Sequence, residues 1–126
     1  MNRNKALMAL ICAISVTILT GCQSSPSEVI PNWSGEWLRS DGTYQLKVQA
    51  DENSVYAEYF NPSPINVETA EFIEKTDGRH LKVVLRDRGY PGAIYDLTYH
   101  AEPESLDGTY FNPNAGQTYT IQFYRQ

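Results

Sequence analysis

From Trp33 to the end of the chain, apolar and polar side chains alternate with a period of two, and turn-forming residues recur every eight to twelve positions. This pattern is typical of short antiparallel strands in a β-sandwich or β-barrel. Asp41-Gly42 and Asp77-Gly78 are strong hairpin signals, because glycine accepts the positive φ angle that tight turns need. The predicted strands are Trp33–Arg39, Thr43–Gln49, Val55–Phe60, Ile65–Glu74, Arg79–Arg86, Ala93–His100, Leu106–Phe111 and Gln117–Arg125.

The alternation places most apolar side chains on one face of the predicted sheet and most charged side chains on the other. A one-sided sheet must cover its apolar face, and no helix is predicted after residue 32 to do this. Closing the sheet on itself covers that face and also removes the exposed edge strands. The sequence therefore predicts an all-β fold, an eight-stranded antiparallel up-and-down β-barrel, in residues 33–126.

The fourth predicted strand changes phase along its length. Ile65 and Val67 share one phase, whereas Ala70 and Phe72 share the other. A β-bulge inserts one residue into a strand and shifts its phase in this way. We therefore expect a bulge near Glu68-Thr69.

An internal repeat appears when the chain is shifted by 51 residues. Positions 43–62 then contain eight identities, and Tyr59-Phe60-Asn61-Pro62 falls on Tyr110-Phe111-Asn112-Pro113. Ordinary residue usage would give about one or two identities. The repeat favours a barrel of two pseudo-repeated four-stranded halves. The alternative is that similar hairpins arose separately under similar constraints.

The N-terminal residues have the order of a secretory signal. Two cations precede an apolar run, Ala6–Leu19, which is followed by small residues and Cys22. The run is shorter than the ~20 residues that a transmembrane helix needs. The sequence predicts a signal peptide with a helix in residues 1–21, a proline-containing flexible tether in residues 22–32, and the barrel domain in residues 33–126.

Leu19-Thr20-Gly21-Cys22 resembles the lipobox of bacterial lipoproteins. The resemblance implies that Cys22 becomes the mature N-terminus and carries fatty acyl chains such as palmitate, which anchor the protein to a membrane. In such families an Asp after the cysteine often retains the protein in the inner membrane. Here that position is Gln23, so the resemblance implies the periplasmic face of the outer membrane.

Composition excludes several function classes. Removal of residues 1–21 leaves eight Lys or Arg against fifteen Asp or Glu, a net charge of 8 − 15 = −7. Such a charge disfavours nucleic acid as a partner. The second cysteine, Cys12, leaves with the signal peptide, so the mature domain has no thiol for catalysis or metal binding. The two histidines, His80 and His100, do not converge in the predicted barrel, and we expect no metal site, cofactor or catalytic residue.

Two short motifs resemble those of calycin barrels. Gly35, Trp37 and Arg125 are similar to the Gly-x-Trp of the first lipocalin strand and the basic residue of the last strand that packs across the tryptophan. Leu106-Asp107-Gly108-Thr109-Tyr110 resembles a strand of avidin-like barrels. The chain is much shorter than a lipocalin and lacks the biotin-binding set of avidins, so no ligand residue carries over. From the residues alone, we expect a structural cation–π contact between Trp37 and Arg125.

Up-and-down order sends successive loops to alternate ends of the barrel. The end opposite the tether receives four loops, at residues 40–42, 61–64, 87–92 and 112–116. Loops on a rigid scaffold often carry binding residues, although prolines and asparagines also simply make good turns. We define these four loops as the mouth. The candidate ligand-binding residues at the mouth are Asn61, Asp87, Arg88, Tyr90, Asn112 and Asn114.

Six tyrosines lie in the inward phase and leave two functional hypotheses open. If they line an open lumen, the chain is a non-enzymatic binding module for a small amphipathic ligand or a polymer end. If they fill the core, the chain is a protein–protein interaction module, such as an envelope assembly factor or an inhibitor. The six are Tyr44, Tyr59, Tyr95, Tyr99, Tyr110 and Tyr119.

Overall fold

The structure, a computed structural model, describes residues 30–87 and 91–126. The predicted signal peptide with its helix, Cys22, Arg88 and Tyr90 lie outside the described residues. The described part contains nine β-strands. In chain order they are β1 (Gly35–Arg39), β2 (Gln45–Ala50), β3 (Val55–Asn61), β4 (Ser63–Ile65), β5 (Val67–Lys75), β6 (Gly78–Leu85), β7 (Ile94–Ala101), β8 (Glu104–Asn112) and β9 (Gln117–Arg125).

All nine strands belong to one antiparallel sheet, in the order β4-β3-β2-β1-β9-β8-β7-β6-β5. Pairing of β1 with β9 joins the first and last described strands, with Trp37 opposite Arg125. The sheet forms a nearly closed barrel, so the all-β antiparallel prediction is confirmed. Within the residues covered, no helix is long and apolar enough to cross a membrane.

The predicted count of eight strands is wrong, because the fourth predicted strand is broken and a short strand precedes the break. Asn66 separates β4, which pairs with β3, from β5, which pairs with β6. The bulge expected near Glu68-Thr69 is confirmed, since the pairing register with β6 shifts between Val67 and Thr69. The predicted pair of four-stranded halves is therefore not reproduced in the strand pairing.

Aromatic rings fill the interior of the barrel. Tyr59, Tyr95 and Phe123 are fully buried. The Tyr95 ring lies at the centre of this group, with ring-centre distances of 4.7 Å to Tyr110, 5.4 Å to Phe123 and 5.5 Å to Tyr59. Tyr119 is an exception to the inward prediction, because 43% of its surface is exposed. The interior is thus packed with side chains at the level of these rings.

The contact expected between the first and last strands is present. The guanidinium carbon of Arg125 lies 4.2 Å from the centre of the Trp37 ring. Arg125 also donates hydrogen bonds to the carbonyl oxygens of Ser34 (2.6 Å) and Asn32 (2.5 Å). Gly35 has a φ of 137°, and a Cβ atom there would collide with the Arg125 guanidinium. The Gly-x-Trp motif therefore makes room for Arg125 and supplies the ring on which it packs.

Replacing Trp37 by Ala should lower the free energy of unfolding by about 3–5 kcal/mol, because the ring has no exposed surface and its loss leaves a cavity. Chemical denaturation followed by tyrosine fluorescence measures the change. Tyr119→Ala, at an exposed position, is the control and should cost less than about 1 kcal/mol. Equal losses for the two variants would contradict a structural role for the Trp37–Arg125 contact.

Candidate functional site

Of the described candidate asparagines at the mouth, Asn112 holds a local turn and Asn61 contacts another loop. Asn112 Oδ1 accepts hydrogen bonds from the backbone N–H groups of Asn114 (3.0 Å) and Ala115 (3.4 Å). Asn61 Oδ1 lies 3.4 Å from the hydroxyl of Thr43, which donates to it. The contacts of Asn112 are those of a turn residue, whereas the Asn61 contact joins the end of β3 to the β1–β2 loop. A ligand-binding role for them stays a prediction.

Asp87 holds the break between β4 and β5. Its carboxylate accepts the backbone N–H of Asn66 at 2.7 Å and the Asn66 side-chain amide at 2.8 Å. These hydrogen bonds hold the pKa of Asp87 below its usual range. The backbone N–H of Arg86 donates to the Asn66 carbonyl at 3.2 Å. The loop after β6 therefore satisfies the backbone groups of Asn66, which lies outside the strands.

A buried arginine closes the barrel interior beneath the mouth. Arg39 is 9% exposed, and its guanidinium lies 3.8 Å from the centre of the Tyr44 ring. It donates hydrogen bonds to Asp41 and, at 2.8 Å, to the hydroxyl of Tyr95, which is itself hydrogen-bonded to the hydroxyl of Tyr59. Burial raises the pKa of Tyr95 to about 12, so this network is neutral apart from the Arg39–Asp41 pair. The chain's own side chains thus occupy the space that a lumen ligand would need.

The strand pairing leaves an opening in the barrel wall, which we call the seam. It lies between Val55–Glu58 of β3 and the facing edge of β5. Among the described residues, β4 pairs with β3 only from Tyr59 to Asn61, and β5 has a strand partner, β6, on one side only. A groove of about 490 Å³ follows the seam. Its lining comprises Val55–Phe60 and Pro64–Ala70.

The internal repeat explains why the seam opens. A shift of 51 residues places β3 within β8, and β5 on β9 except for its last residue. β8 and β9, however, pair over all but one residue of each strand. The β8–β9 turn ends at Gly116, which has a φ of 63°. Ile65 occupies the equivalent position, 116 − 51 = 65. A β-branched residue rarely adopts a positive φ, so the chain cannot turn there as it does at Gly116.

The seam is acidic. Between Val55 and Glu74 the chain has four glutamates, at 58, 68, 71 and 74, and neither Lys nor Arg. Of these, Glu58 and Glu68 line the groove, which among the described residues has no cationic lining. The wall on the far side of the barrel, β9, contains Thr118, Thr120 and Gln122 in place of acids. In the sequence, only the phase change in the fourth predicted strand marks the position of the seam.

A second groove, of about 520 Å³, lies at the tether end of the barrel. It is formed by residues 30–34, residues 50–52 and Arg79. Arg79 donates to the Glu52 carbonyl at 3.0 Å and pairs with Glu74. Residues 30–32 of the tether form one side of this groove. The shape of the groove therefore depends on the position of these residues.

His80 is largely enclosed, with 12% of its side chain exposed. Its Nδ1 lies 2.5 Å from Asp96 Oδ1, and its Nε2 lies 2.8 Å from Asp77 Oδ1. Lys75 donates to the other oxygen of Asp96 at 2.8 Å. Burial alone would lower the pKa of His80, but the two carboxylates outweigh it and raise that pKa. A protonated His80 thus links β6 to β7 on the outer face.

His100 lies near a hydroxyl and a carboxylate, but the arrangement differs from a catalytic relay. The hydroxyl of Thr98 (3.1 Å) and the carboxylate of Asp107 (3.6 Å) both face Nε2 of His100. In a serine-hydrolase triad the hydroxyl and the carboxylate instead contact different nitrogens of the histidine ring. The Thr98 hydroxyl also donates to the Asp107 carbonyl at 3.1 Å. These contacts hold two neighbouring strands together.

No protein-family model, curated protein or solved structure matches this chain.

Replacing His80 by Gln should flatten the pH dependence of stability above about pH 6.5. The folded-state pKa of His80 is raised, so its contribution is complete below the unfolded value near 6.5 and is lost as pH rises through the folded value. Asp77 and Asp96, whose pKa values are lowered, stay ionised throughout this range.

The measurement is the free energy of unfolding against pH for both proteins. The native protein should lose stability towards pH 9 relative to H80Q, and both retain His100. If the two curves of unfolding free energy against pH run parallel, protonated His80 does not stabilise the link between β6 and β7.

Proposed function

We propose that this chain is a lipid-anchored, non-enzymatic interaction module on the periplasmic face of the outer membrane, and that its partner is another protein. The lipobox with Cys22 and the following Gln23 support the anchor and its location. Two or more acyl chains give stable membrane attachment.

One observation carries the choice of a protein partner: the barrel interior is filled, whereas the barrel wall is open at the seam. Fully buried Tyr59 and Tyr95 and the guanidinium of Arg39 occupy the space below the mouth. A small amphipathic ligand or a polymer end would have to displace them. The groove of about 490 Å³ instead lies in the barrel wall, between β3 and β5, where another protein reaches it without unfolding the core.

The position of the seam on the barrel suits a periplasmic partner. The tether reaches the barrel next to Trp33, and ten extended residues span roughly 30 Å. The seam follows the wall between β3 and β5, which run in opposite directions between the tether end and the mouth. A tethered domain with this geometry presents its wall, as well as its mouth, above the membrane surface.

Photo-cross-linking in intact cells tests this proposal. A photoreactive amino acid replaces Tyr56 or Glu68 in the seam, or Thr118 or Thr120 on β9 as matched controls on the opposite wall. The seam positions should form an adduct with one defined protein, and the β9 positions should not. The Cys22→Ser variant should lose membrane attachment and much of the adduct, because the anchor holds the domain near its partner.

Equal labelling at all four positions would contradict a seam-specific partner. A small molecule retained in native mass spectrometry of the purified lipoprotein, with no seam adduct, would favour the lumen-ligand alternative instead.

A further inference from the structure

We propose that the partner enters the seam with an extended, positively charged segment that adds as a strand to the free edge of β5. This inference rests on the proposed protein-binding function and names the chemistry of the bound segment. It has three supports: the unpaired backbone, the charge of the groove and the small side chains that face it.

The backbone of β5 offers an unused row of hydrogen-bonding groups. The strand has nine residues, and its described pairing is with β6 alone. In an antiparallel edge strand, alternate N–H and C=O groups point away from the partner and can bind another strand. Peptide recognition by strand addition uses such an edge.

The prolines and the bulge that interrupt this sheet edge lie at the mouth end of the seam. Pro62 and Pro64 stiffen the chain before β5, and the bulge interrupts its register between Val67 and Thr69. From Thr69 to Lys75 the pairing with β6 is regular. This regular stretch is therefore the part of β5 that can accept a new strand.

The width of the seam determines how a segment enters. Paired strands lie ~4.8 Å apart, so a strand between β3 and β5 needs about twice that distance, ~9.6 Å. Some Cα atoms of β3 and β5 are within 8 Å of each other. The segment consequently pairs with β5 and moves β3 outward, which closes the barrel around an additional strand.

The lining of the seam specifies the side chains of the segment. Ala57 of β3 is 3% exposed, and Ala70 of β5 is half-buried, so small groups face the interior at this level. They leave room for apolar side chains of modest size at alternate positions of the segment. Glu58 and Glu68 line the groove with no cation among its described residues, so Lys or Arg fits the outward positions.

Synthetic peptides as long as β5 test the inference, with Lys alternating with Val or Thr. Each is titrated by fluorescence anisotropy against the full-length lipoprotein in detergent. Methylating alternate backbone nitrogens removes hydrogen-bond donors without changing charge, and should weaken binding about tenfold or more. A peptide with Glu in place of Lys should not bind.

A matched pair of variants tests whether the seam carboxylates contribute to peptide binding. E58Q/E68Q removes two seam carboxylates and should weaken binding about fivefold at low salt. E36Q/E52Q removes two carboxylates that do not line the seam groove and should leave affinity within about twofold.

Closing the seam gives a third test. S63N/P64A/I65G copies the residues of the β8–β9 turn, Asn114-Ala115-Gly116, into the equivalent positions. It should let β5 pair with β3, raise the unfolding midpoint and abolish peptide binding. If this variant does not fold, the comparison of methylated and unmethylated peptides still tests whether the segment adds as a strand to β5.

Binding that is equal for methylated and unmethylated peptides, or no binding by any of the cationic peptides, would overturn strand addition. If seam cross-links nevertheless form in cells, the proposed protein-binding function stands, and only the addition of a cationic strand to β5 is wrong. If neither peptides nor seam cross-links are observed, both proposals fail.

Discussion

The backbone angle at one position decides the shape of this barrel. Gly116 turns β8 onto β9 with a φ of 63°, and these strands then pair over all but one residue of each. Its counterpart in the internal repeat, Ile65, cannot take that angle without strain. The chain instead pairs briefly with β3 and breaks at Asn66, where Asp87 and Arg86 satisfy the freed backbone groups. The seam follows from this local constraint.

The same constraint bears on why the binding site that we propose lies in the barrel wall and not inside the barrel. The interior needs its aromatic side chains for stability, since residues 33–126 contain no cysteine with which to form a disulfide. Tyr95 joins the rings of this core and receives a hydrogen bond from Arg39 at the mouth. A filled core leaves the exposed strand edges and their acidic side chains as the chemistry available to a partner.

Much of the fold could be predicted because alternation and turn residues are local signals. They gave the antiparallel barrel, the bulge beside Glu68 and the approach of Trp37 to Arg125. The break at Asn66 was missed, because it depends on hydrogen bonds to Asp87, 21 residues away. Arg39 was missed as a core residue, although it shares the inward phase of Trp37, because a cation inside a barrel needs partners that only the fold assembles.

Amide hydrogen exchange of the free protein, resolved residue by residue by NMR, tests the central claim most directly. If the seam is open, alternate amides of β5 between Thr69 and Lys75 exchange rapidly, as do those on the unpaired edge of Val55–Glu58, while successive amides of β8 are all protected. Uniform protection of β5, equal to that of β8, would mean that the barrel is closed and has no edge to which a strand can add.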